Sequence, residues 1–421
     1  MINTIKRNGY NLHILKTDKF KSITVKLIFW NKLKEEELTM RNLLADNLLF
    51  SSGKYKDNRS ISIKKQDLYS ASVFNSTYRN GTQVITEFNL SCIEDKYTEK
   101  GNFLKALNFL FECLNNPNVS NKSFDLNAFN ITKERLRTAI KNETDNPNYY
   151  SYRRYKQIIG NKDILNGSIL GSIEDLEKIT PSSLYEYYET FFVSNHLDIY
   201  VLGNVEEDVV ESIINKNIAF KFKDILYTPV STDYKKEFTE DIEDSKFNQS
   251  RLIMGGSIKS LSEKAKKYDS IIYNIILGNS PNSKLFRSVR EKKSYAYTIS
   301  SNINRLDGMF TISAGISYDN YEDTKREIYH QLDLMRKGSF SIHDIKNAKE
   351  VVLSILKEID DSPNSMIDHC HNYLYYGADT IKEQIESINS VTKKNIIDVA
   401  KSINIDTVYL LKEDIYGKDK N

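Results

Sequence analysis

Between Ser283 and Ser301 the sequence sets an arginine and a tyrosine where both could reach one carbonyl or carboxylate. The run Ser283-Lys-Leu-Phe-Arg-Ser-Val-Arg-Glu-Lys-Lys-Ser-Tyr-Ala-Tyr-Thr-Ile-Ser-Ser301 opens on a serine able to cap a short helix. Leu285, Phe286 and Val289 form the apolar face of that helix. Arg290 to Lys293 close it with net positive charge, which a helix C-terminus favours. A strand is expected next, with Tyr295, Tyr297 and Ile299 on one face. Arg290 then stands at a helix end and Tyr297 on the adjoining strand, a forked cationic donor beside a single O–H donor. The same spacing also fits dipole compensation next to a half-buried tyrosine.

Other reactive residue types are scattered. Of six histidines only Asp368-His-Cys-His371 is clustered. Its flanks read as helical, and residues two apart on a helix diverge, so His369 and His371 read as surface or interhelical side chains rather than a metal pair. Cys92, Cys113 and Cys370 make neither a disulfide framework nor a CxxC knuckle, and Cys370 reads as a plain buried thiol. Rings beside basic residues at Phe20, Tyr78 and Asn148-Tyr-Tyr-Ser-Tyr-Arg-Arg-Tyr155 raise the question of base stacking. Lys+Arg 59 against Asp+Glu 57 leaves a formal charge of +2, too balanced for a nucleic-acid platform. Core packing, or contact with a peptide or partner, suits these tyrosines better.

The elements that must position these residues follow from periodicity. Tyr10–Leu15, Ser22–Trp30, Thr82–Ser91 and Leu197–Leu202 read as strands. Glu35–Phe50, Asn102–Leu114 and Ala128–Asn142 read as helices, as does Asp175–Phe192 with a break at Pro181 after the N-capping Thr180. Two echoes divide the chain. Strand Ser22–Trp30 recurs as Ser250–Ile258, and Leu176-x-x-Ile179-Thr180-x-x-x-Leu184 recurs as Ile388-x-x-Val391-Thr392-x-x-x-Ile396. The expected fold is α/β (α+β), with two homologous domains, each a mostly antiparallel sheet with helices packed on one face. The boundaries are 1–230 for the first domain, 231–248 for a polar linker and 249–421 for the second. Gly 16 and Pro 6 in 421 residues argue against low-complexity and many-turned β-sandwich readings. No apolar stretch approaches the roughly 18–20 residues of a membrane span, and no secretory signal is visible, so a reducing cytoplasmic location is expected.

The run Ser283-Lys-Leu-Phe-x-x-Val-Arg-Glu-Lys-x-x-x-Ala-Tyr297, with Leu277-Gly278 upstream and Ala314-Gly315-Ile316 downstream, resembles the second-domain signature of the pitrilysin/insulinase family of zinc metallopeptidases. That family includes the mitochondrial processing peptidases. In the first half, Gly171-x-x-x-x-Leu176 through Tyr187-Tyr188 and Asn195 to Gly203-Asn-Val205 is similar to the same family. The resemblance covers essentially the whole chain and implies two duplicated halves forming half of a clamshell.

The family's active site is an inverted zinc motif, H-x-x-E-H, on the first half's helix, completed by a downstream glutamate. By the resemblance, Leu43 and Asn47 stand at the two histidine positions, Asp46 at the base position and Ala139 near the downstream ligand, with Glu134 or Glu143 as alternatives. Leucine has no lone pair for a metal, and an amide oxygen is a poor substitute for imidazole on zinc. No metal and no catalysis are therefore expected of this chain alone. The family resemblance implies a zinc-free, non-catalytic subunit whose zinc lies in a homologous partner. This chain would supply Arg290 and Tyr297 to the partner's site, holding a peptide substrate and stabilising the oxyanion. A peptide-binding scaffold without proteolysis is the alternative, and whether a homodimer forms when the partner is absent is left open by the sequence.

Overall fold

The computed structural model describes residues 2–159, 167–218, 237–258 and 260–414. The chain folds as two compact units. The first carries β1 (Asn3–Arg7), β2 (Tyr10–Lys16), β3 (Ser22–Lys32), β4 (Ser72–Asn80), β5 (Gln83–Ile93), a short ribbon of β6 (Val119–Ser120) and β7 (Ser123–Phe124), and β8 (His196–Gly203). The second carries β9 (Thr239–Asp244), β10 (Ser250–Ser257), β11 (Ala296–Asn304), β12 (Met309–Ile316) and β13 (Thr407–Lys412).

The first sheet runs β1-β2-β8-β3-β5-β4, antiparallel except for the β2/β8 pair. Alternation along β3 sends Ile23, Val25, Leu27 and Phe29 into a core shared with the Glu35–Phe50 and Asn102–Asn115 helices. The second sheet runs β11-β12-β10-β13-β9, with β9/β13 its parallel pair. Read from β9, its order β9-β13-β10-β12-β11 repeats β2-β8-β3-β5-β4. The two sheets share one plan, and β1 is an extra edge strand on the first. The repeated cap sequences make the same local structure. Thr180 Oγ1 accepts from the Ser183 amide at 3.1 Å to open the Pro181–Ser194 helix, and Thr392 Oγ1 accepts from the Asn395 amide at 3.3 Å to open Lys393–Ser402. Each helix leads into the inner strand of its sheet, β8 or β13.

Two features depart from the sequence reading. Of the stretch 231–248 read as linker, residues 231–236 lie outside the described residues, and Thr239–Asp244 forms strand β9 in register with Thr407–Lys412. Its sequence, Thr-Glu-Asp-Ile-Glu-Asp, is charged because β9 is an edge strand with half its side chains in solvent. The units also interleave along the chain. The Pro147–Ile159 helix belongs to the second unit, where Tyr155 and Ile159 pack on Ile253, Met309, Tyr409 and Leu411. Gly255 makes room there, since a Cβ would lie 2.0 Å from the Tyr155 hydroxyl. The Pro363–Tyr375 helix belongs to the first unit and packs beside β8. Each sheet thus has a helix on the face opposite its main helical layer, which is why β3 is buried on both sides from Ile23 to Trp30.

Candidate functional site

The arginine–tyrosine segment begins as its residues suggest. Ser283 Oγ accepts from the Phe286 amide at 3.4 Å, and Leu285 and Val289 are fully buried in the second unit's core. From Phe286 to Lys292 the backbone widens into a π-helix, a geometry that rotates side chains away from α-helical positions and recurs at functional sites. Arg290 is exposed, with its guanidinium carbon 4.7 Å from the centre of the Phe286 ring. Among the described residues no carboxylate lies within ion-pairing distance of it.

The following strand differs from simple alternation. Ala296 pairs with Ile316 and Thr298 with Gly315, so β11 bulges at Tyr297. The extra residue leaves Tyr297 and Thr298 both exposed while Ala296 and Ile299 point inward. Tyr297 therefore does not share a face with Ile299, and its ring is 64% exposed. Bulges of this kind re-aim a side chain at the edge of a site.

Beside the bulge lies a pocket of about 430 Å³, built on the β10, β11 and β12 surface under the start of the Pro147–Ile159 helix. Arg290, Phe286, Arg251, Thr298, Ser151 and Tyr152 are among its walls, and Tyr297 lies outside that lining. Of the tyrosine-rich run Asn148–Tyr155, the residues Asn148, Ser151 and Tyr152 line the pocket, whereas Tyr155 is core. Arg251 went unnoticed in the sequence. Its Nη1 reaches Thr298 Oγ1 at 3.4 Å, and its buried Nε has no hydrogen-bond partner. Burial pushes the Arg251 pKa down.

The residues aligned with the zinc motif occupy the Glu35–Phe50 helix of the first unit. Leu43 is fully buried in the core. Asn47 donates through Nδ2 to Thr132 Oγ1 at 2.9 Å, tying its helix to the Leu126–Asp145 helix. Asp46 accepts from Asn75 Nδ2 at 3.0 Å, and burial pushes its carboxyl pKa up, opposed by that hydrogen bond and by Arg135. Ala139 is half-buried and offers no donor atom. Glu134 is exposed and bonds Arg137 one turn away, and Glu143 is half-buried near that helix's end. At the positions that the resemblance assigns to zinc ligands, Leu43, Asn47 and Ala139 offer an alkyl side chain, an amide already engaged and a methyl group, none of which suits a zinc ion. Among the described residues no group of three or more His, Cys, Asp or Glu side chains is placed to hold a metal.

A second polar constellation was hidden in an apolar strand. Asp198 in β8 is completely buried and accepts from Trp30 Nε1 at 2.8 Å, Asn11 Nδ2 at 3.1 Å, His13 Nε2 at 3.1 Å and the Tyr375 hydroxyl. Burial alone would raise its pKa, but hydrogen bonds from His13 and His196 and the nearby imidazoles hold it below the usual carboxylate range. His371 is buried too, with Nδ1 3.0 Å from the Tyr200 hydroxyl, and burial lowers its pKa to about 4. His369, two positions earlier on the helix, is half-exposed. Five donors, His196 among them, saturate the Asp198 carboxylate, so it is a structural acceptor rather than a base open to substrate. The signal available was an aspartate inside Leu197-Asp-Ile-Tyr-Val-Leu202, which a fully buried strand accepts only when partnered.

The profile of the peptidase M16 inactive domain matches residues 178–352. The chain is 28% identical over 416 residues to the Bacillus subtilis protein named "Probable inactive metalloprotease YmfF", covering 97% of this chain and 96% of that one. The structure superimposes on that of a conserved protein from Enterococcus faecalis with a TM-score of 0.90 at 24% identity, covering 98% of this chain and 99% of the other. On a peptidase M16 inactive domain from Pseudomonas fluorescens the TM-score is 0.80 at 14% identity, over 98% of each chain. At these identities the structural matches speak for the fold. Among the described residues no helix is long and apolar enough to cross a membrane. In sequence this chain is thus similar to a protein named as an inactive metalloprotease, its residues 178–352 match the peptidase M16 inactive domain, and its fold is that of M16-type proteins.

Proposed function

We propose that this chain is the non-catalytic subunit of a heterodimeric zinc peptidase acting on peptides in the cytoplasm. Its partner is a homologous chain that carries the zinc motif, and Arg290 and Tyr297 enter that partner's active site to hold the substrate backbone and stabilise the oxyanion. One contrast carries the reading. The zinc-motif positions hold Leu43, Asn47 and Ala139, while Arg290 and Tyr297 are present, exposed and without a carboxylate partner among the described residues. An exposed arginine and an exposed tyrosine add little to folding stability, so their placement beside a pocket is better explained by contact with another molecule.

The test is peptide hydrolysis, with bound zinc quantified, for this chain alone and after mixing with the zinc-motif chain of the same genome. Expected are no zinc and no hydrolysis alone, with strong activity in the mixture. Arg290→Ala and Tyr297→Phe should lower kcat/KM of the complex by roughly 10²–10³-fold, the usual cost of losing an oxyanion donor, with assembly unchanged by size-exclusion chromatography. Wild-type rates in both variants would remove the proposed role. Peptide binding by a chain that gains no activity from any partner would instead favour a peptide-holding scaffold.

A further inference from the structure

We propose that the pocket of the second unit is a carboxylate site in which Arg251, together with Arg290, holds an acidic group of a bound peptide. That the carrier is a peptide rests on the preceding reading; that the group is a carboxylate rests on the pocket. Two guanidinium groups line one cavity of about 430 Å³, and among the described residues no acidic side chain lines it with them. The remaining polar walls are the hydroxyls of Ser151, Tyr152, Thr298, Ser300 and Ser313 and the Asn148 amide, which can donate to an anion but do not neutralise a cation. Arg251 is the more telling of the two arginines. Its Nε is buried without a partner, its Nη1 makes a single long contact to Thr298, and burial already works against its charge. A planar fork held in this state matches the two oxygens of a carboxylate.

The backbone is adapted to this arginine. In the antiparallel ladder Arg251 stands opposite Gly315, which in turn stands opposite Thr298. A Cβ at residue 315 would lie 2.4 Å from Arg251 Nη1 and 2.8 Å from Thr298 Oγ1. Glycine therefore leaves the lane in which the guanidinium lies across the sheet. Phe286, Ile253 and Tyr152 add apolar wall around the charged floor, which suits a chain segment carrying the acid. The acidic group can come from a glutamate or aspartate side chain or from the peptide's C-terminus.

Calorimetric titration of the full chain, without any partner, separates these sources. The probes are two twin pairs: Ac-Ala-Ala-Glu-Ala-Ala-NH2 against its glutamine counterpart, and acetyl-tetra-alanine as free acid against its amide. At least one acid is expected to bind about tenfold or more tighter than its neutral twin, as charged hydrogen bonds imply. The pair that discriminates identifies the source. Arg251→Met should abolish the discrimination without lowering the melting temperature, and Gly315→Ala should weaken it by displacing the guanidinium. Equal affinity within both pairs overturns the proposal, even if Arg251→Met fails to fold, and so does an Arg251→Met protein that discriminates like the wild type. Because no partner is present, failure of the subunit reading leaves this result standing, and failure here leaves that reading intact.

Discussion

The buried network around Asp198 makes the first unit acid-sensitive in a window set by His371. This imidazole is held near 4 in the folded chain by burial, partly opposed by the Asp198 carboxylate, with His13, Lys26 and His196 also facing it. In the unfolded chain it returns to about 6.5. Between those values the unfolded state carries a proton that the folded state lacks, so stability rises with pH through the window and falls as the solution is acidified from about 6.5 to about 4. At 1.36 kcal/mol for each tenfold change in proton affinity, the separation corresponds to about 3 kcal/mol. Asp198 acts with the same sign in a lower window. Its carboxyl lies below the usual range when folded, so its contribution is complete above about 4 and is lost under stronger acid.

The chain has one tryptophan, Trp30, whose indole N–H bonds Asp198, so its fluorescence reports on this network. Urea unfolding followed by that signal, from pH 7.5 to 4.5, should show the first unit losing most of those 3 kcal/mol. In His371→Gln, which keeps a polar partner for Tyr200 and cannot titrate, the profile should be flatter by about the same amount. Carboxylates remote from His371 titrate equally in both proteins and cancel in the difference, and Asp198, which His371 does influence, titrates below this window. Parallel profiles for wild type and variant would refute the assignment of His371 as a buried neutral imidazole.

Asp198→Asn turns one acceptor oxygen into a donor facing Trp30, Asn11, His13 and Tyr375, and should cost the first unit about 3–5 kcal/mol, measured by the same unfolding assay. Asn47→Ala leaves the Thr132 hydroxyl without its donor and should cost about 1–3 kcal/mol, read as a lower urea midpoint. Thr180→Ala and Thr392→Ala each remove an N-cap and should each cost about 1 kcal/mol; hydrogen exchange should show the loss in the capped helix's own unit. Tyr297→Phe removes an exposed hydroxyl and should shift stability by less than about 0.5 kcal/mol, so any loss of complex activity in that variant belongs to function.

Local rules made much of this fold legible. Thr180 and Thr392 signalled two equivalent helix starts because a capping threonine three residues before a side chain that can answer it is a short-range pattern. Those paired starts exposed the duplication that the two sheets share. The misses have a common cause, which is that each depended on a partner distant in sequence. Thr239–Asp244 is a strand because β13 lies beside it, and its charges are what an edge strand carries. Tyr297 faces outward because β12 offers one fewer residue at that point than β11. Asp198 and Arg251 sit on surfaces that receive the Pro363–Tyr375 and Pro147–Ile159 helices, each drawn from the other half of the sequence.

That exchange of helices also bears on why the two candidate regions differ so much. In the first unit Leu43 and Asn47 face the interior, where they serve packing and a hydrogen bond to Thr132. An alkyl group there does useful folding work of its own. In the second unit Arg290 stands in solvent and Arg251 lies half-buried with an unanswered N–H. Neither arrangement is one that folding alone favours, since a buried unpaired donor costs about 1–3 kcal/mol and an exposed cation returns little. A region that stabilises itself needs no ligand to account for it. A region that leaves two arginines uncompensated around a cavity is explained by what enters the cavity, and substitutions there are the ones that separate this protein's function from its fold.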